Sequence, residues 1–476
     1  MTLLKNFIKK KFILIGSLSL LLGLFYYYIF LSTSNIAYQD QFAEPQINLI
    51  TKYFEGNLSF EDVWQIHNGH RMLAYDLIKV ANVIFFKYNT QIEMFLTGIF
   101  LLLASVFLYQ NFKKNFSTLP EKIIQILFIP TAIIIFSLNQ WENFVFSMGL
   151  ANIMPIPFII LSFIILEKIF LRDSFKLNSK LTYYFIFLTI LTVLFFGTGG
   201  SIVFVLTLIL ATLTKILIEK KLNRTNIKIL LLVLAACLPA LYIYFNGTDR
   251  SDPTINQGIN YIIFNLADSI KFIILSFSGS VLGYDYILGF KNFLNIELNL
   301  LIPFSIGTLV FFYYIYAIKT YISLKIQKKS YLPVFLILFS FISIALVLLT
   351  RYYYGINYGM SSRYTTYSQF GIIGIFWIML YAIYYEKEKS KKIFSKKTAA
   401  IFILTMIICG QILTYSIEFA WAPYRKTFYK NLEQMALNYE NYTTDQLANG
   451  FQYRHNEQVI KALATLKQYK LNVFSK

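Results

Sequence analysis

The chain has 476 residues, 57% of them apolar, 18% aromatic and only 14% charged, and its mean hydropathy is +0.56. Soluble chains carry roughly a quarter charged residues, so this composition excludes a soluble enzyme and a disordered or fibrous chain. The 43 Lys and Arg against 24 Asp and Glu would point to nucleic acid in a soluble domain. In a chain this apolar, the surplus instead reflects Lys/Arg-rich loops on one side of a membrane, and no nucleic-acid partner is expected.

Apolar stretches long enough to cross a hydrocarbon core of roughly 30 Å recur from end to end. The fold class they predict is all-α and polytopic, with eleven spans at 12–31, 92–110, 122–138, 150–167, 181–196, 202–218, 229–245, 299–318, 331–349, 368–385 and 398–417. The first follows Lys5, Lys9, Lys10 and Lys11; it is too long for a signal-peptide core and lacks a small-residue cleavage site, so an uncleaved span is expected. Cys237 and Cys409 fall inside spans, without a disulfide framework or metal-ligand spacing. No internal repeat is evident.

Orientation follows from charge. Six alternate loops (1–11, 111–122, 168–180, 219–228, 319–330 and 386–397) hold 25 basic residues, whereas the five opposite connections hold nine although they are longer. That bias predicts a cytoplasmic N-terminus and an outer C-terminus. Two further apolar stretches stay on the outer side. Residues 72–88 carry Asp76 and Lys79 on an otherwise apolar helix, which suits a helix lying in the interface. Residues 262–290, with Ser276 and several glycines, fit an interfacial or re-entrant segment. The expected organisation is a transmembrane domain over 1–417, with a first outer loop at 32–91, and a short amphipathic helical tail over 418–476. In the tail, Leu447 and Phe451, then Val459, Ile460, Leu463 and Leu466, recur with helical spacing.

In this topology the unusual polar residues gather on the outer side. Asp40 follows the first span and Glu44 lies four residues on. His67, His70 and Arg71 sit in the run HNGHR, Trp141, Glu142 and Asn143 in NQWENF, and Arg351 and Arg363 flank a Tyr-rich connection. Charged groups near lipid depth are costly and usually line a cavity or site, so one outward-facing cavity is the expected meeting point. Each residue also has a structural reading. Asp40 can be a loop carboxylate, His67 and His70 interfacial hydrogen-bonding groups, and Arg71 a snorkelling side chain. Trp141 can be an aromatic anchor, Glu142 and Asn143 can cap short helices, and the two arginines can meet lipid headgroups.

The early outer acid Asp40 after a long first span, the interfacial helix and the many later spans resemble the GT-C superfamily of integral-membrane glycosyltransferases. The strings HNGHR at 67–71, QWENF at 140–144 and SSRYTT at 361–366 are similar to those in bacterial multi-spanning proteins of this type. The resemblance covers roughly residues 1–420. It implies a transferase of the bacterial cytoplasmic membrane with its active site on the extracytoplasmic side. Such an enzyme moves one sugar, with inversion, from a polyprenyl-phosphate carrier to a cell-envelope glycan or related acceptor. Its partners would be membrane lipids, that donor and the glycan acceptor.

On this reading Asp40 would be the general base, with Glu44 second; Arg363, Arg351, Arg71 and His70 would bind the donor phosphate. His67, Trp141, Glu142 and Asn143 would line the substrate site. Phosphate leaves readily, so neither a cofactor nor a divalent metal is required. Many family members have closely paired acids in this loop, whereas Asp40 here stands between Gln39 and Gln41, and a large soluble outer domain is lacking. The alternatives are a surface-polysaccharide polymerase or ligase, and a transporter or flippase of a lipid-linked sugar.

Overall fold

The computed structural model describes residues 2–172, 179–220, 223–247, 254–283, 300–386 and 393–475. Ten described helices are long and apolar enough to cross a membrane: Lys11–Ser32, Thr90–Asn115, Glu121–Val145, Gly149–Phe170, Gly199–Glu219, Arg224–Phe245, Leu301–Ser323, Leu332–Tyr354, Ser362–Tyr384 and Lys397–Leu437. The chain is a polytopic helical membrane protein.

Two expectations are refined. The predicted span at 181–196 is a helix over Lys180–Ile190 continued by a π turn over Leu191–Phe195. At about 1.5 Å rise per residue it is shorter than a hydrocarbon core. The predicted re-entrant segment begins as Ile255–Phe264 and Leu266–Gly279, bent by 106° at Asn265, and counts as an eleventh candidate span only if the pair is taken as one. Residues 284–290 of that prediction lie outside the described residues.

The most enclosed span is Ser362–Tyr384, 89% buried over its apolar window. It packs closely on Leu332–Arg351 because small residues face that partner. A Cβ at Gly374 would lie 2.5 Å from the Pro333 carbonyl oxygen, and lipid-embedded helices gain their packing from such approaches. At the same end of this pair the buried Glu167 carboxylate accepts from Ser330 Oγ at 2.6 Å, Tyr331 N at 2.8 Å and Leu332 N at 2.7 Å. A side chain from a neighbouring helix thus satisfies N–H groups that a helix start leaves open.

The first loop is compact. Helix Glu44–Phe54 leads through Phe60–Val63 to a two-residue β-ladder, Ile66–His67 with His70–Arg71. Asn68 at φ 49° and Gly69 at φ 75° make its turn, the dipeptide that a primed hairpin turn demands. Helix Leu73–Phe86 follows. Its polar face points inward: Asp76 and Lys79 are fully buried, whereas Leu77, Ile84, Phe85 and Phe86 are exposed. Gln46 bridges the two, donating to Asp76 Oδ1 at 2.8 Å and accepting from Lys79 Nζ at 3.0 Å. The amide gives each buried side chain a hydrogen-bond partner, while Asp76 Oδ2 is left without one.

The final span runs on without a break at 417, as one helix over Ile393–Leu437. The tail then turns through Thr444–Gly450 and Asn456–Gln468, burying Leu447, Phe451, Val459, Leu463 and Leu466. It docks on the first loop. Asn472 is fully buried, accepting from Ala37 N at 3.1 Å and donating to Asn35 Oδ1 at 2.8 Å and Tyr88 O at 2.9 Å.

Candidate functional site

A cavity of about 350 Å³ opens where the first loop, the short helix Trp141–Val145, the start of the Ser362–Glu386 helix and the long C-terminal helix converge. Its walls are aromatic: Tyr38, Trp141, Phe146, Trp421, Tyr424, Phe428 and Tyr429. Its polar groups are Gln39, Glu142, Arg363, Arg425 and Gln452. Glu142 is the carboxylate among the described lining residues.

Local geometry fixes the carboxylate. Glu142 Oε2 accepts from the Ser362 hydroxyl and, at 3.0 Å, from Arg363 N. The first turn of a buried helix thereby finds an acceptor, and the carboxylate sits at the helix end that favours negative charge. The Arg363 guanidinium lies 3.9 Å from Glu142 Oε1 and donates to Gln39 Oε1 at 3.3 Å. Arg425 pairs with the buried Glu418, donates to Tyr28 Oη at 2.8 Å and stacks 3.8 Å above the Trp141 ring. Asn143 braces the same corner, donating to Arg363 O at 2.9 Å and Thr366 Oγ1 at 3.0 Å. Tyr38 is held by Tyr429: their hydroxyls lie 2.9 Å apart, and the Tyr429 hydroxyl donates its one proton to Val145 O at 2.8 Å. Burial, the largest cause, raises the Tyr38 phenol to about 12, so it is an uncharged donor at neutral pH.

The sequence-predicted residues separate into two groups. Trp141, Glu142 and Arg363 meet in the cavity, with Asn143 supporting them. Asp40 does not line it; its neighbour Gln39 does. Asp40 and the exposed Glu44 lie instead near Tyr453, whose phenol is raised first by burial and then by these two acids. Glu44 is also 4.0 Å from Lys461. The remaining residues serve the hairpin and its neighbours. Arg71 donates to the carbonyls of Trp64, Asn246 and, at 3.2 Å, Tyr244, stapling the hairpin to the end of a span rather than presenting a free fork. His70 Nδ1 lies 2.7 Å from Tyr244 Oη. His67 is buried, with both ring nitrogens lacking a hydrogen-bond partner. Arg351 donates from Nε to Tyr364 Oη at 3.0 Å and from Nη1 to Thr350 O at 3.0 Å.

Sequence reasoning missed Tyr38, Gln39, Phe146, Trp421, Tyr424, Arg425, Phe428, Tyr429 and Gln452. One signal was legible: FAWAPYRKTFYK at 419–430 interleaves aromatic and basic residues just past a predicted span, the pattern of an interfacial binding surface. Nothing marked the two glutamines. Among the described residues, no group of three or more His, Cys, Asp or Glu is placed to hold a metal ion. The fold and cavity thus define a polytopic helical membrane protein with an amphiphilic, arginine-bearing cavity at the ends of its spans. Comparison with protein-family models, curated proteins and solved structures finds no match in any of the three.

Proposed function

We propose that this protein is a membrane glycosyltransferase whose cavity takes the head of a polyprenyl-phosphate-linked sugar, as its resemblance to the GT-C superfamily implies. The observation that carries the reading is the convergence of Arg363, Arg425 and Glu142 inside one aromatic-walled cavity. Arginine's planar fork suits phosphate, aromatic faces suit a sugar ring and an apolar tail, and a carboxylate is the base the chemistry needs. The volume falls in the range of small-molecule sites. Every lining segment also belongs to a connection or span end that the Lys/Arg bias assigns to the extracytoplasmic side. The N-in, C-out orientation and an outer site are therefore part of the proposal.

In the reaction an acceptor hydroxyl oxygen bonds to the anomeric carbon as the bond from that carbon to the phosphate oxygen breaks. The hydroxyl proton passes to a carboxylate. The prenyl phosphate leaves with the bonding pair, and its growing negative charge faces the arginines, where fixed cations lower the barrier. A single displacement of this kind inverts the anomeric centre. Glu142 replaces Asp40 as the proposed base, because it lines the cavity and Asp40 does not.

The test is replacement of the gene by Glu142→Gln, Asp40→Asn or Arg363→Ala copies at matched expression, with mass spectrometry of surface and lipid-linked glycans. The Glu142 and Arg363 variants should lose one sugar residue from a surface glycan and accumulate its prenyl-phosphate donor, and Asp40→Asn should not. Unchanged glycans in a deletion strain would sink the transferase reading. Loss in Asp40→Asn alone would return the base to that residue.

A further inference from the structure

The polar side of the cavity is a relay across four segments distant in sequence. Glu142 lies beside Arg363, Arg363 Nη2 donates to Gln39 Oε1 at 3.3 Å, and Gln39 Nε2 donates to Gln452 Oε1 at 2.7 Å. The amide directions are unambiguous. A guanidinium only donates, so the Gln39 oxygen must face it, and its NH2 must then face an acceptor. The backbone repeats the link, since Gln39 N donates to Phe451 O at 3.0 Å.

Both glutamines hold φ at 54°, the left-handed region that costs a non-glycine residue roughly 1 kcal/mol. At Gln452 this is the ordinary left-handed close of the Thr444–Gly450 helix, with Gln452 N donating to Asn449 O at 3.3 Å and Tyr453 N to Ala448 O at 3.0 Å; at Gln39 the contacts to Phe451 O and Gln452 Oε1 hold it in place. The tail does not need the Gln452 side chain in order to dock. Phe451 packs on Phe42 with ring centroids 5.1 Å apart, Gln458 Nε2 donates to Phe42 O at 3.1 Å, and Asn472 is anchored independently.

We infer that Gln39 and Gln452 form a latch through which the C-terminal tail positions Arg363 toward the anionic group of the ligand; this rests on the phosphate reading above. Gln39 Oε1 is closer to the guanidinium than the Glu142 carboxylate, at 3.3 Å against 3.9 Å. A neutral carbonyl fixes the direction of an arginine without cancelling its charge, whereas a carboxylate in that place would do both. The latch therefore orients Arg363 without adding a second negative charge to that of Glu142. Gln39 and Gln452 are positioning residues, and the tail is a working wall of the site.

The experiment uses the full chain in detergent micelles, with farnesyl phosphate as probe and farnesol as its phosphate-free control. Binding is followed by fluorescence of the cavity tryptophans, Trp141 and Trp421, alongside the melting temperature. Gln39→Gly and Gln452→Gly relax the strained backbone while removing the amides. They should keep or raise the melting temperature and leave farnesol unchanged; Gln39→Gly, which loses the bond to the guanidinium, should weaken farnesyl phosphate about tenfold, and Gln452→Gly, which loses only the neutral amide pair behind it, about threefold. Gln39→Glu keeps a hydrogen-bond acceptor but neutralises Arg363; it should melt like wild type and still bind farnesyl phosphate more weakly. The latch is overturned by glycine variants that bind farnesyl phosphate like wild type. It is equally overturned by glycine variants whose melting temperature falls together with binding, or by a Gln39→Glu variant that binds undiminished. Wild type that binds farnesyl phosphate no better than farnesol would overturn the phosphate reading, and the latch with it.

Discussion

Arg363 meets Glu142 twice: its backbone N–H donates to Oε2 at 3.0 Å, while its guanidinium stands 3.9 Å from Oε1. The carboxylate is held by the helix end, and the guanidinium is left largely free. Both side chains remain about one-third exposed to the cavity, at 33% for Arg363 and 29% for Glu142. Arg363→Lys keeps one charge but loses the fork, so transfer should fall by about tenfold or more, mainly in kcat if the contact tightens as phosphate departs. Steady-state kinetics on a prenyl-phosphate sugar would check this. A rise in KM alone would show that Arg363 holds ground state and transition state equally and does not lower the barrier.

Arg71 should behave differently. Its guanidinium satisfies three carbonyls, and removing it leaves buried acceptors unpaired at about 1–3 kcal/mol. Arg71→Met is therefore expected to lower the melting temperature while the surviving folded protein keeps its KM. An unchanged melting temperature with a raised KM would return Arg71 to the ligand.

Protonation of His67 offers a pH test. Burial, and then the charge of Lys79, lower its imidazole to about 4, against about 6.5 in an unfolded chain. The unfolded state thus binds the extra proton first, and the contribution of His67 to stability falls as pH drops from about 6.5 to about 4. His70 is lowered to about 4 as well, by burial, Arg351 and His67. Asp76, raised by burial to about 7, acts with the opposite sign in that window. The overall slope therefore mixes these groups, and the difference between wild type and His67→Gln isolates one. The variant should lose stability less steeply between pH 6.5 and 4, by at most about 1.4 kcal/mol per pH unit. Parallel curves would show that His67 is solvated.

Glu167 is a purely structural prediction. Its carboxylate accepts from Ser330, Tyr331 and Leu332, and also from Asn111 Nδ2 at 2.8 Å. Glu167→Ala leaves these donors buried and should cost about 3 kcal/mol. The variant should melt earlier with no change in substrate preference. Wild-type melting would contradict the assigned cap.

The membrane class, most of the spans and the buried apolar positions of the tail were legible from residues 1–476 alone. Twenty-residue apolar runs and a 3.6-residue period are local properties, and lipid rewards them wherever they occur. The Asn-Gly pair at 68–69 likewise encodes its hairpin turn locally, although its flanks looked like a ligand cluster rather than a strand pair. Arg71 shows the limit. Its residue type allowed a snorkelling side chain and the family resemblance a phosphate-binding one, and only the neighbouring span end reveals that three carbonyls already hold it. Asp40 and Gln39 show it more sharply. They are adjacent in sequence, yet a single turn with φ at 54° sends the glutamine to the cavity and leaves the aspartate beside the tail. Which of two neighbours faces a site depends on backbone angles set by contacts more than 400 residues away, between Gln39 and Phe451 and Gln452. Those contacts have no period and no motif. The sequence by itself determined the polytopic helical membrane class and most of the candidate spans; the tertiary structure decided which side chains meet at their ends, because the partners that orient them lie at the other end of the chain.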